Sequence, residues 1–164
     1  MSGPLQEIRI LDISTLIAAP LAGTLLADYG AEVVKVELTD LGDGLRSFPP
    51  FKDGRSLWWK VANRNKRLVS LDLRKEEGVE LFLGMLPKFD VLLENFRPGT
   101  LERWGLSKER LWAVNPNLVI LRATAFGQTG PYKNKPGFAR IFEAMSGLTY
   151  MTGDPDRTPM HNGY

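Results

Sequence analysis

Residues 8–37 read IRILDISTLIAAPLAGTLLADYGAEVVKVE, and this stretch decides the fold. Ile8 to Ile13 form a short apolar run rich in β-branched side chains, the signature of a strand. Pro20 then sits where a first helical position belongs. Leu21, Leu25 and Tyr29 follow at helical spacing, and Gly30 supplies a C-terminal stop. Ala31 to Glu37 reads as a second strand. Strand, helix and strand over so short a span make a βαβ unit, and its crossover favours a parallel sheet.

The alternation continues outward. Leu68 to Leu73 (LVSLDL) reads as a strand. Val79, Phe82, Leu83 and Leu86 make one face of a helix that ends before Pro87. Asp90 to Phe96 (DVLLENF) reads as the next strand. Ser107 caps a short helix through Trp112, which Pro116 closes off. Asn117 to Phe126 (NLVILRATAF) is a near-continuous apolar run, as expected for a strand covered on both faces. Ile141, Phe142 and Met145 mark a last helix ending near Gly147. The expected class is α/β with a parallel sheet. Two irregular stretches interrupt it, Leu38 to Arg67 and Phe126 to Pro136, and long irregular loops of this kind tend to carry function.

Composition narrows the classes. The chain of 164 residues is 43% hydrophobic and 24% charged, enough apolar material for a real core. A net charge of +2 is too small to argue for nucleic acid or an anionic membrane surface. There is no cysteine, which excludes a disulfide scaffold and thiol catalysis, and a single histidine, which disfavours a zinc site. No apolar run is long enough to span a bilayer, and Met1 to Glu7 lacks the layout of a signal peptide. The expectation is a soluble, cytoplasmic protein that binds no metal. Dinucleotide, P-loop and hydrolase-elbow motifs are all absent.

In open α/β sheets, ligands settle beyond the carboxyl ends of the strands. Asn95, Phe96, Arg97 and Arg103 lie just there, and so do Asp72, Leu73, Arg74 and Lys75; Ser14 to Ala19 after the first strand are small or apolar. Arginines suit phosphates, Phe96 could cover a ring, and Asn95 offers a donor and an acceptor. Each residue taken singly reads more readily as a helix cap or a solvated turn. Asn63, Asn65, Lys66 and Arg67 read as turn formers and a solvated basic run, and Trp58 and Trp59 as core or interface packing. His161 is expected to be exposed.

Taken together, residues 9–37, GDGLR (42–46), NRNKRLVSLDL (63–73), DVLLENFRPGTLERWGL (90–106), NPNLVILRATAFGQTGP (115–131) and GFARIFEAMSG (137–147) resemble, in order and spacing, the opening portion of the class III CoA-transferases, the CaiB/BaiF family. The resemblance implies a Rossmann-like sheet, with residues 1–164 forming the N-terminal part of a coenzyme A-binding large domain and the small domain lying beyond this chain. It implies an acyl-CoA and a carboxylic acid acceptor as substrates, and an interlocked homodimer. It carries coenzyme A contacts onto Ile17 and Ala18, onto Leu71, Asp72, Leu73 and Arg74, and onto Asn95, Phe96, Arg97 and Arg103. Leu38 stands where many members have arginine, and Phe138 where the family's racemases have a catalytic histidine. An acyl-CoA racemase and a non-catalytic coenzyme A-binding module are the rival readings. The family's nucleophile, an aspartate that forms acyl anhydride and CoA-thioester intermediates, is expected just beyond Tyr164. The FGQTG loop is a candidate for stabilising the oxyanion.

Overall fold

The computed structural model describes residues 3–161. Asn162, Gly163 and Tyr164, which the resemblance puts just before the nucleophile, lie outside the described residues. The chain divides into two compact units, Met1–Ala123 and Thr124–Tyr164.

The first unit runs β1 (Arg9–Asp12), α1 (Ala18–Asp28), β2 (Glu32–Glu37), β3 (Phe51–Lys52), β4 (Arg55–Ser56), α2 (Leu57–Ala62), β5 (Lys66–Ser70), α3 (Glu76–Met85), β6 (Val91–Glu94), α4 (Thr100–Arg103), α5 (Lys108–Val114) and β7 (Val119–Arg122). The five long strands form one parallel sheet in the order β5-β2-β1-β6-β7, and β3 and β4 make a separate antiparallel hairpin. The βαβ reading of residues 8–37 is thus the centre of the sheet. The strand order reverses direction at β1, so the crevice between β1 and β6 is the topological switch point where such sheets take ligands.

Side chains of a strand alternate between faces, and the two faces differ here. Leu11, Val34, Val36 and Leu92 point into the larger core, with Val79, Phe82 and Leu83 of α3 and with Leu101, Leu106 and Leu111. Complete burial of Phe82 is worth about 1.5–3 kcal/mol. On the other face Ile10, Val33 and Leu93 pack with Ala27 of α1 in a smaller core. Gly23 lets α1 come close: a Cβ there would lie 3.1 Å from Leu93 Cδ1 and 3.3 Å from Asp12 Oδ2. Gly30, at φ 101°, ends that helix as its spacing predicts.

Some expectations need correction. Pro20 is the third residue of α1, not the first. β7 is a margin strand covered on one side only: Val119 and Leu121, on the α1 face of the sheet, are 62% and 42% exposed. An apolar run signals two covered faces only when something lies on both. Residues 38–67 are not structureless; they hold a 3₁₀ turn at Gly44–Ser47, the β3–β4 hairpin and α2.

In the second unit, α6 (Ala139–Met145) confirms the last helix, though none of its residues is buried. Phe126 meets Tyr132 and Phe142 edge to face, at centroid distances of 5.7 and 6.2 Å. Among the described residues no helix is long and apolar enough to cross a membrane, and no three or more His, Cys, Asp or Glu side chains are grouped as metal ligands would be.

Gly78 opens a test of the packing. A Cβ at this position would fall 2.0 Å from the Asp72 carbonyl oxygen. Gly-to-Ala changes inside helices normally stabilise. Gly78→Ala is expected to do the reverse and to destabilise by about 1–3 kcal/mol in urea denaturation, because α3 must move off the chain at Asp72.

Candidate functional site

The carboxyl edge of the sheet is built around acids. Asp12, Glu37 and Glu94 are the last residues of β1, β2 and β6, and Asp72 follows β5. Each turns inward, is buried, and accepts a backbone N–H of the loop that follows. Ser14 N donates to Asp12 Oδ1 at 2.9 Å, Phe96 N to Glu94 Oε2 at 2.7 Å, Arg74 N to Asp72 Oδ1 at 3.0 Å and Asp43 N to Glu37 Oε2 at 3.0 Å. A local carboxylate satisfying an orphan N–H is the usual device for starting a loop where a ladder ends.

Each acid also has its own cation. Lys66 Nζ reaches Asp12 Oδ2 at 2.8 Å, with both side chains wholly buried, and donates as well to the Pro20 carbonyl at 2.6 Å. Lys35, also fully buried, lies 4.0 Å from Asp12 and 3.0 Å from Asp43 Oδ2. Arg46 Nε meets Glu37 at 2.6 Å and stacks 3.6 Å above the Trp59 ring, whose Nε1 donates to the same carboxylate. Arg122 meets Glu94 at 2.5 Å and Glu102 at 2.8 Å. Arg74 forks onto Asp72 at 2.7 and 2.8 Å. Burial lowers the Lys66 pKa and raises that of Glu94, while the Arg74 guanidinium pulls the Asp72 carboxyl down to about 2. Lys66, expected in a solvated basic run, is therefore a core residue. Asn63 beside it is buried and accepts from Lys66 Nζ at 3.2 Å, whereas Asn65, at φ 62°, is a turn former as expected.

Above this frame lie two adjoining clefts. The first, of about 80 Å³, is lined by Ile13, Ser14, Thr15, Val36, Glu37, Leu38, Gly42, Asp43, Leu71, Leu73, Arg74, Phe96 and Trp104. Its apolar wall includes Phe96 and Trp104 in edge-to-face contact at 5.0 Å. The second is shallower, about 300 Å³, and is lined by Arg74, Lys75, Glu76, Val79, Glu80, Arg103, Trp104, Gly105 and Arg110. Arg74 and Trp104 belong to both.

Of the residues singled out in the sequence, Leu71, Leu73, Arg74 and Phe96 meet in the apolar cleft, and Arg103 joins Arg74 in the basic one. Asp72 lies behind them as the counter-charge of Arg74. Asn95 lines neither cleft; its amide is clipped onto Thr15, accepting from Thr15 N at 2.8 Å and donating to Thr15 O at 2.7 Å. Arg97 is exposed in the turn before α4, and Ile17 and Ala18 open α1 outside both linings. Lys75, Arg97 and Arg103 make no ion pair with any carboxylate among the described residues. Trp104, Asp43 and Arg110 also line the clefts without being singled out by their local sequence; only Trp104, in LERWG, carries a sign there, an aromatic just past a short helix.

The depressed Asp72 value gives a pH prediction. Its folded-state pKa lies below the ordinary one, so the pairing stabilises above about pH 4 and is lost as pH falls toward 2. Arg74→Gln is expected to raise the Asp72 midpoint from about 2 toward the ordinary carboxylate range, read by carbon NMR titration, and to reduce that part of the acid dependence.

Comparison with known proteins identifies the family. The family model described as CoA-transferase family III matches residues 5–164. The chain is 50% identical over 161 residues to the succinyl-CoA–D-citramalate CoA-transferase of Chloroflexus aurantiacus, covering 98% of this chain and 40% of that protein. It is 41% identical over 167 residues to the succinate–glutarate CoA-transferase of Agrobacterium fabrum, covering 98% of this chain and 42% of the relative. The crystal structure of a CaiB/BaiF family protein from Brucella suis superposes with a TM-score of 0.94 at 36% identity, over 100% of this chain and 44% of that one. The chain thus spans about two fifths of the length of these relatives. With the family model matching almost every residue, this chain belongs to CoA-transferase family III.

Proposed function

We propose that the complete protein is an acyl-CoA:carboxylate CoA-transferase and that this chain supplies its grip on coenzyme A. One observation carries the reading: an apolar cleft opens beside a basic one at the carboxyl rim, and Arg74 and Trp104 belong to both. Coenzyme A has the same layout, a flat adenine next to phosphates. The ring would sit against Leu71, Leu73 and Phe96. The phosphates would meet Lys75 and Arg103, neither of which makes an ion pair with a carboxylate among the described residues. Arg97 lies close by in sequence and is exposed. Arg74 is half committed to Asp72, which orients its guanidinium and leaves its outer edge for the ligand. Ile17, Ala18 and the Asn95 backbone would complete the contacts.

The similarity to succinyl-CoA–citramalate and succinate–glutarate transferases supports succinyl-CoA as donor and a short dicarboxylic acid as acceptor. The nucleophile would be an aspartate carboxylate from the part of the protein beyond this chain. Its oxygen attacks the thioester carbonyl, the C–S bond breaks, and the thiolate leaves a mixed anhydride. The thiolate then attacks the aspartyl carbonyl and expels the donor acid; the acceptor carboxylate reverses both steps. No oxidation is involved. What this chain contributes is retention: held by ring and phosphates, the free thiolate stays at high effective concentration between the two steps. Phe138 has no titratable group, which favours group transfer over exchange of an α-proton. Absence of cysteine supports a cytoplasmic setting, and a homodimer is our reading of the assembly.

The test is an exchange assay on the complete polypeptide with succinyl-CoA and a panel of dicarboxylates, paired with titration of coenzyme A by calorimetry. Transfer to at least one acceptor is expected. Binding should weaken about tenfold as salt rises from roughly 0.05 to 0.5 M, since phosphate contacts at an open cleft are screened. Salt-independent binding, or none, would remove the reading.

A further inference from the structure

The turn that joins β1 to α1 is held with unusual thoroughness. Ser14 N is bound by Asp12 and Ser14 O by Lys35 Nζ at 2.7 Å. Thr15 N and O are both bound by Asn95. Leu16 N is bound by Asp43 Oδ1 at 3.0 Å. Side chains from several distant segments thus converge on a short irregular turn. The residue at its end is the odd one: Leu16 has φ 64°, in the left-handed region. For a leucine this region is disfavoured about fivefold to thirtyfold against right-handed backbone. A connection that merely linked β1 to α1 would place glycine there or avoid the conformation.

Asp43 is built for the task. It is 2% exposed and lies in the loop after β2, where Glu37 fixes its own N–H at 3.0 Å. Oδ1 accepts from Leu16 N and, at 2.9 Å, from Leu45 N; Oδ2 faces the buried Lys35 ammonium at 3.0 Å. Ser14, Thr15 and Asp43 all line the apolar cleft opposite Leu71 and Phe96. We infer that Asp43 is a positioning residue: it locks the Thr15–Leu16 turn in its left-handed shape, and that shape forms one wall of the ligand cleft. The inference rests on the coenzyme A reading above for the identity of the ligand. If Leu16 relaxes to negative φ, the peptide plane beside Thr15 rotates and the wall is lost, although the sheet and helices remain.

The experiment uses the complete polypeptide, with coenzyme A as probe, calorimetry for affinity and amide hydrogen exchange at Leu16. Asp43→Ala is expected to expose the Leu16 amide to exchange and to weaken coenzyme A binding at least tenfold. Adding Leu16→Gly should recover about fivefold of that loss, because glycine enters positive φ freely. A defect confined to the unpaired Lys35 would not respond to a glycine at position 16. Should Asp43→Ala fail to fold, Leu16→Val against Leu16→Gly decides: β-branching disfavours the left-handed region, so the glycine variant should bind about tenfold more tightly. Equal affinities for that pair, or wild-type affinity and Leu16 protection in Asp43→Ala, overturn the inference. If the unaltered protein does not bind coenzyme A, the functional reading fails, and exchange at Leu16 still settles whether Asp43 holds the turn.

Discussion

The structure turns on one electrostatic constraint: acids end three strands of the sheet and closely follow a fourth, all at its carboxyl edge. Asp12, Glu37, Glu94 and Asp72 bring negative charge to the rim, and each is needed there to satisfy the loop N–H that follows its strand. Left alone, such a carboxylate would repel an anion 4 Å away by about 4 kcal/mol at an effective dielectric of 20. The chain resolves the conflict by giving each acid a cation, distant in sequence for Asp12 (Lys66) and Glu94 (Arg122) and local for Glu37 (Arg46) and Asp72 (Arg74). Lys35 bridges Asp12 and Asp43 beneath them.

That solution sorts the basic residues into two kinds. Paired cations hold the frame. They tie β5 to β1, the 38–47 loop to β2, and β7 to β6, and so fix how the loops leave the sheet. At the clefts, Lys75 and Arg103, with Arg97 nearby in sequence, make no ion pair with a carboxylate among the described residues, and on our proposal these are the cations that meet the ligand. Arg74 stands between the two kinds. Removing one partner of the wholly buried Lys66–Asp12 pair is expected to cost about 3–5 kcal/mol, whereas Arg46 and Arg74, half exposed, contribute much less.

Most of the fold is legible in the sequence, and the site only partly. The βαβ unit, the Val79–Phe82–Leu83 face and the Ser107 cap all show themselves through local period and local chemistry. Ser107 Oγ does accept from Arg110 N at 3.3 Å. The cleft positions of Leu73, Phe96 and Arg103 follow from strand-end positions that already imply a rim location, whereas Leu71 comes only through the family resemblance. The buried network was not. Lys66 sits in NRNKR, where neighbours in sequence are exposed, and its burial depends on Asp12, 54 residues away. The intended sign was present in Asp12 and Lys35 themselves, charges set inside otherwise apolar strands, yet nothing local says which partner neutralises which. Asn95 shows the same limit: its residue type suits a ligand contact, but only the folded chain reveals that Thr15 occupies its amide.

The division between frame and ligand cations can be measured directly. Coenzyme A affinity and urea stability would be compared for Lys75→Gln, Arg103→Gln and Arg122→Gln in the complete polypeptide. The account predicts that the first two lose about tenfold in affinity each, with little change in stability, and flatten the salt dependence of binding. Arg122→Gln, which strips the buried Glu94 of its partner, is predicted to lose stability first. Unchanged affinity and salt dependence in both Lys75→Gln and Arg103→Gln would contradict the account.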